Sequence, residues 1–118
     1  MACESIVDTY GYKRGETITF ALRSDPVYDG TETVTCDVKF QAQRGRVPEE
    51  SATVVLSIVP VFVPDDGTTP ARWSFTITAA QSAVLQGDYA TDAKVVYYNG
   101  SVDYPATLGL CIGGRVTA

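Results

Sequence analysis

Thr33-Val34-Thr35-Cys36-Asp37-Val38-Lys39-Phe40-Gln41-Ala42-Gln43 alternates between two kinds of side chain. Val34, Cys36, Val38, Phe40 and Ala42 point one way; Thr35, Asp37, Lys39, Gln41 and Gln43 point the other. Side chains leave a strand alternately from its two faces, so the pattern predicts a half-buried antiparallel strand. The same period runs through ETITFALR (16–23), with Ile18, Phe20 and Leu22 on one face. It recurs in RWSFTIT (72–78), with Trp73, Phe75 and Ile77 inward, and in 107–116, where Leu108, Leu110 and Ile112 alternate with small residues. Small residues on one face let another backbone approach closely.

Turn signals separate these runs: Asp29-Gly30, 44–48, 64–70 and Asn99-Gly100. Asn-Gly between 88–98 and 101–104 predicts a hairpin with a type I′ turn. Strands at this spacing predict one all-β domain over 1–118, an immunoglobulin-like antiparallel β-sandwich of about seven to nine strands. Its predicted core holds Ile18, Phe20, Leu22, Val38, Phe40, Leu56, Trp73, Phe75, Ile77, Tyr89 and Val95. One stretch breaks the period. Thr78 and Gln81 have capping-box spacing ahead of Ala83-Val84-Leu85, which predicts a short helical turn over 78–85, with Gly87 as its C-cap.

ATVVLSIVPVFV (52–63) is more continuously apolar. Pro60 has no N–H for a ladder, so the strand bends, bulges or lies at an edge there. If Val54, Leu56 and Ile58 face the core, Val55, Ser57 and Val59 face outward, and a solvated strand has no need of two valines. Val55, Val59, Val61, Phe62 and Val63 are therefore candidates for a contact surface. The competing reading places this strand centrally, covered on both sides within its own domain.

Composition narrows the function. A chain of 118 residues with net charge −5 and a pI near 4.5 repels phosphate backbones, so no nucleic-acid partner is expected. No apolar run is long enough to cross a bilayer, so no membrane partner is expected. The N-terminus lacks the basic and apolar regions of an export signal, which predicts synthesis in the cytoplasm. There is no histidine, which removes the commonest general base and metal ligand. Cys3, Cys36 and Cys111 lack metal-site spacing, and the two in a strand-like context, Cys36 and Cys111, are expected as small buried hydrophobes, although a disulfide between them stays open. Asp65-Asp66-Gly67 reads as an acidic turn rather than a calcium loop. Asp88 with Asp92, or Asp65 with Asp66, could be read as paired catalytic carboxylates, and nothing in the pattern places either pair in a pocket. No catalytic residue, metal or other cofactor is expected, and no enzyme.

Phe75-Thr76-Ile77-Thr78-Ala79-Ala80-Gln81-Ser82-Ala83-Val84-Leu85-Gln86-Gly87-Asp88-Tyr89, followed by Asp92-Ala93-Lys94-Val95 and the Asn-Gly turn, resembles the C-terminal half of immunoglobulin-like modules in tailed-phage structural proteins. It is similar to the N-terminal domain of the phage upper baseplate protein family. Lys13-Arg14-Gly15-Glu16-Thr17-Ile18-Thr19-Phe20 resembles that module's lead into its first long strand, whereas 52–70 is longer and more apolar than the module's pattern. Within Leu85-x-Gly87-x-Tyr89 the glycine permits a tight corner. Tyr89 then either returns its hydroxyl to the corner backbone or is a core aromatic with a wet tip. The resemblance implies a virion component in the tail, baseplate, neck or on the capsid as a decoration protein, bound to other virion proteins and to copies of itself. The alternative is a carbohydrate- or host-surface-binding module, with Trp73, Tyr97, Tyr98 and Tyr104 as a stacking platform, although the alternation places Trp73 in the core.

Overall fold

A computed structural model describes residues 6, 8–24, 27–105 and 107–115. Nine strands and one short helix follow in chain order: β1 Asp8–Lys13, β2 Ile18–Leu22, β3 Thr33–Phe40, β4 Val54–Ile58, β5 Val61–Val63, β6 Arg72–Ile77, α1 Ala79–Ser82, β7 Gly87–Val96, β8 Val102–Asp103 and β9 Leu108–Gly113. They form two sheets packed as a sandwich. The larger has the order β1-β9-β7-β3-β4, with β8 also paired to β7; the smaller has the order β2-β6-β5. All pairings are antiparallel except β1 with β9, which is parallel.

The alternating runs meet between the sheets. Ile18, Val38, Phe75, Ile77, Val95, Leu110 and Ile112 are almost completely buried there. Phe20, Leu22, Leu56 and Trp73 are half-buried against this cluster. Phe20 stacks on Phe75 at 5.2 Å, its register partner across β2 and β6.

Phe40 departs from the expectation, being 53% exposed. It is the last residue of β3 and packs edge-on against Tyr89 at 5.7 Å. The next side chain inward is Gln41, whose amide donates to the Tyr89 carbonyl at 2.7 Å and whose oxygen accepts from the Gly45 N–H at 2.7 Å. A buried amide with both ends bonded is tolerated because it ties down the loop beyond the strand.

β1 was not legible as a strand. Its residues DTYGYK are mostly exposed and show no alternation. It pairs because β9 lets it in. A Cβ on Gly109 would crowd Ile6 and Thr9 at 3.2 Å, so the bare backbone of β9 admits the neighbouring chain.

The helical turn forms where its capping box places it. The Thr78 hydroxyl accepts from the Gln81 N–H at 3.2 Å, and the Gln81 side-chain oxygen accepts from the Thr78 N–H at 2.9 Å. Its C-cap is Ala83 rather than Gly87; Gly87 has φ +116° and opens β7. The hairpin between β7 and β8 also differs from the type I′ turn, which needs positive φ at two central residues. Asn99 has negative φ and only Gly100 is positive, at +87°. The Gly100 N–H bonds to the Tyr97 carbonyl and the Tyr97 N–H to the Ser101 carbonyl. This is a three-residue loop closing on a glycine bulge. The Asn99 oxygen accepts from the Ser101 N–H, which holds it in the turn.

Candidate assembly surface

The long apolar run divides into β4 and β5, and the division defines the surface. β4 is the last strand of the larger sheet and β5 the last strand of the smaller. Val59 and Pro60 carry the chain from one sheet to the other. Pro60 sits at the crossing, where no ladder requires its missing N–H. Two sheet edges therefore open on the same flank of the sandwich. Residues 51–64 include no charged side chain. The opposite flank, made by β1 and β2, carries Asp8, Lys13, Arg14, Glu16 and Arg23.

On the uncharged flank Val59 is 81% exposed and Val61 58%; Val55 and Val54 are about half as exposed as Val59. Val54 was expected to face the core. β3 and β4 shift register between Val38, opposite Leu56, and Lys39, opposite Val54, so Val55 is the extra residue of a bulge. Val54 thereby joins the outward side occupied by Lys39. Phe62 and Val63 are half-buried, and the Phe62 ring packs edge-on against Trp73 at 5.4 Å. Among the five candidate contact residues, the structure thus brings Val55, Val59 and Val61 to the surface and turns Phe62 toward the core.

The corner residues Leu85, Gly87 and Tyr89 come together at the start of β7. Leu85 and Tyr89 are buried, and the Tyr89 hydroxyl donates to the Gln86 carbonyl at 3.1 Å and accepts from the Gln86 N–H at 2.9 Å. This is a tyrosine corner. Ser82 sits at 0% exposure nearby; its hydroxyl donates to the Glu16 carbonyl at 2.6 Å and accepts from the Gly15 N–H at 3.1 Å. The helical turn is thereby clamped to the turn between β1 and β2. Nothing in the local sequence marks Ser82, because its partners lie far back in the chain.

The outer face of the larger sheet carries a cleft of about 680 Å³ over Asp37 and Asp92, walled by Val47, Pro48 and Tyr104. Asp37 and Asp92 are register partners on β3 and β7. Ser57 donates to Asp37 at 2.8 Å, and the Lys39 ammonium donates to the Glu50 carbonyl at 2.8 Å. Partial burial pushes Asp92 above the usual carboxylate range, and Asp37 beside it pushes the same way while Lys39 opposes. Asp88 lies four residues from Asp92 on β7, about 13 Å along the strand, and pairs with Arg44 at 3.7 Å. That separation exceeds the spans over which two carboxylates share one reaction centre in glycosidases. Asp65 and Asp66 accept backbone N–H groups of Gly67, Thr68 and Thr69 within their own turn.

Tyr97 stacks on Tyr28 at 6.4 Å, and Trp73 donates its N–H to Glu32 at 3.0 Å, so neither is free to join Tyr98 and Tyr104 as a stacking platform. Cys36 and Cys111 are unbonded. Cys36 faces the core with Val34 and Val38, whereas Cys111 lies between the inward Leu110 and Ile112 and points to the other face. Cys3 lies outside the described residues. Among the described residues no group of three or more Cys, Asp or Glu side chains is placed to hold a metal ion, and no helix is long and apolar enough to cross a membrane. No protein-family model, curated protein or solved structure matches the chain.

Proposed function

We propose that the chain is a structural, non-enzymatic component of a tailed-phage virion: a small immunoglobulin-like adaptor or decoration protein held by protein–protein contacts. The observation that carries this reading is the flank formed by β4 and β5, where two adjoining sheet edges carry no charge and expose Val54, Val55, Val59 and Val61. Free-standing β proteins blunt their edges with charge, proline or bulges. Here the bulge at Val55 and the proline at position 60 are present, but charge is absent from the whole run. Such an edge fits a protein that works inside an assembly. The phage class comes from the resemblance of 75–95, supported by the tyrosine corner that Tyr89 builds there.

The test is incorporation into particles of the phage that encodes the chain. Val55→Lys with Val59→Lys is expected to leave the isolated domain folded, because both side chains are already exposed, and to abolish incorporation. A folded double variant present at normal copy number in purified particles removes this surface from the function. Absence of the wild-type chain from those particles removes the virion reading itself. A second reading, a module that binds host-surface carbohydrate, is favoured only by the cleft beside Tyr104. Retention on immobilised host glycans, lost with Tyr104→Ala, is the result that replaces the first reading.

A further inference from the structure

We propose that the occupant of the uncharged flank is a second copy of this chain, paired through β4 about a two-fold axis so that the two larger sheets become one. The inference specifies a contact of the isolated protein and stands apart from the virion reading.

Three observations point to a second copy. The first is charge. Each chain carries a net −5, so two copies repel over most of their surface. The flank of β4 and β5 lets the two strands meet without bringing charge into the ladder, because 51–64 holds none and the nearest charges along the chain, Glu49, Glu50, Asp65 and Asp66, lie beyond the strands. A head-to-tail arrangement, β4 of one copy on β1 of the next, would bring Asp8 and Lys13 of β1 to an apolar edge and desolvate them. The two-fold arrangement avoids this.

The second is the fit of the strand to itself. β4 reads Val54-Val55-Leu56-Ser57-Ile58. An antiparallel pair centred on Ser57 sets Leu56 opposite Ile58 of the other copy, both on the inward side, and Val55 opposite Val59, both on the outward side of the bulge. These cross-strand pairs are aliphatic, with Ser57 on the axis, of the kind that stabilise a ladder, and none sets like charges together. An isologous contact needs this self-complementarity. β5 runs on the same flank, so Val61 adds apolar surface beside the strand pair.

The third is area. The Cα atoms span 43 × 40 × 21 Å, so a flank across the thin dimension is bounded at on the order of 800 Å², and a contact that takes in β5 as well as β4 approaches the area per partner of a standard specific interface. Pairing also satisfies the outward N–H and C=O groups of β4 past the bulge, from Leu56 to Ile58.

The test uses the purified full-length chain. Sedimentation or light scattering is expected to give a dimer of about twice 12.7 kDa that dissociates on dilution. Hydrogen exchange read by mass spectrometry is expected to slow in the peptide covering β4 as concentration rises, with β1 unchanged. Val55→Lys with Val59→Lys is expected to be monomeric, with the circular dichroism of the wild type. A wild-type chain that stays monomeric up to about 1 mM overturns the proposal. So does a dimer whose β4 amides exchange as they do in dilute solution. If the lysine variant unfolds, the concentration dependence of β4 exchange in the wild type still decides. Failure here leaves the virion reading standing, and absence from particles leaves the dimer standing.

Discussion

The Tyr89 hydroxyl holds both ends of the peptide groups at Gln86, donating to its carbonyl and accepting from its N–H. One phenolic oxygen thus replaces the two ladder bonds that Gln86 cannot make, because the chain leaves α1 and turns into β7 at that point. Tyr89→Phe keeps the buried ring and removes both bonds. The expected loss is about 1–2 kcal/mol in denaturant unfolding, with the midpoint lowered and the slope unchanged.

Phe75 and Phe40 look alike in the sequence, each sitting on the apolar side of an alternating strand, yet they are 1% and 53% exposed. Phe75→Ala is expected to remove about 3–5 kcal/mol of stability, since it opens a cavity beneath Phe20 in the centre of the sandwich. Phe40→Ala is expected to remove less than half of that. Equal losses in equilibrium unfolding would place Phe40 back in the core.

Burial pushes the Cys36 thiol from an ordinary 9.0 up to about 11. Its side chain touches the Thr91 hydroxyl at 3.2 Å between the sheets. Alkylation at pH 8 followed by peptide mapping is expected to label Cys111 and to spare Cys36 until the chain unfolds. The same shift sets a sign for alkaline stability. The folded state keeps the proton that the unfolded state releases, so the stability from this thiol is complete below pH 9 and is lost as the pH rises toward 11. Burial pushes Tyr28 from 10.0 to about 12, with Tyr97 beside it acting the same way, and extends the loss above pH 10. Melting temperatures are expected to fall monotonically from pH 9 to 11. A flat profile would mean that Cys36 is open to solvent.

Asp37 and Asp92 face each other across β3 and β7, and like charges in register destabilise a sheet. Ser57 supports Asp37, whereas partial burial pushes Asp92 toward its neutral form. Asp92→Asn is expected to raise stability at pH 7 by about 0.2–1 kcal/mol, with the gain shrinking as the pH falls and the wild-type carboxyl takes its proton. Thermal melts at pH 7 and pH 4 check both halves of this statement. A destabilised Asn variant at pH 7 would assign the Asp92 carboxylate a favourable partner.

The sequence alone determined what local interactions decide. Period-two alternation identified β3 and β6, because face selection along a strand depends on each residue's own parity. The capping box of Thr78 and Gln81 was legible because its partners lie three residues apart, whereas the return of Tyr89 to Gln86 was one of two open readings that the structure decided. The tertiary structure alone decided which strands end the sheets. Continuous hydrophobicity in 52–63 fitted a central strand as well as two edges, and only the pairing of β4 with β3 and β5 with β6 makes it two edges. It also decided the side of Val54 and of Phe40, which a bulge and a strand end reverse, and the fate of Ser82, a polar side chain buried against the turn between β1 and β2. Those outcomes depend on contacts between residues tens of positions apart. Such contacts leave no period in the chain, and their energy is set by what the other sheet or loop presents.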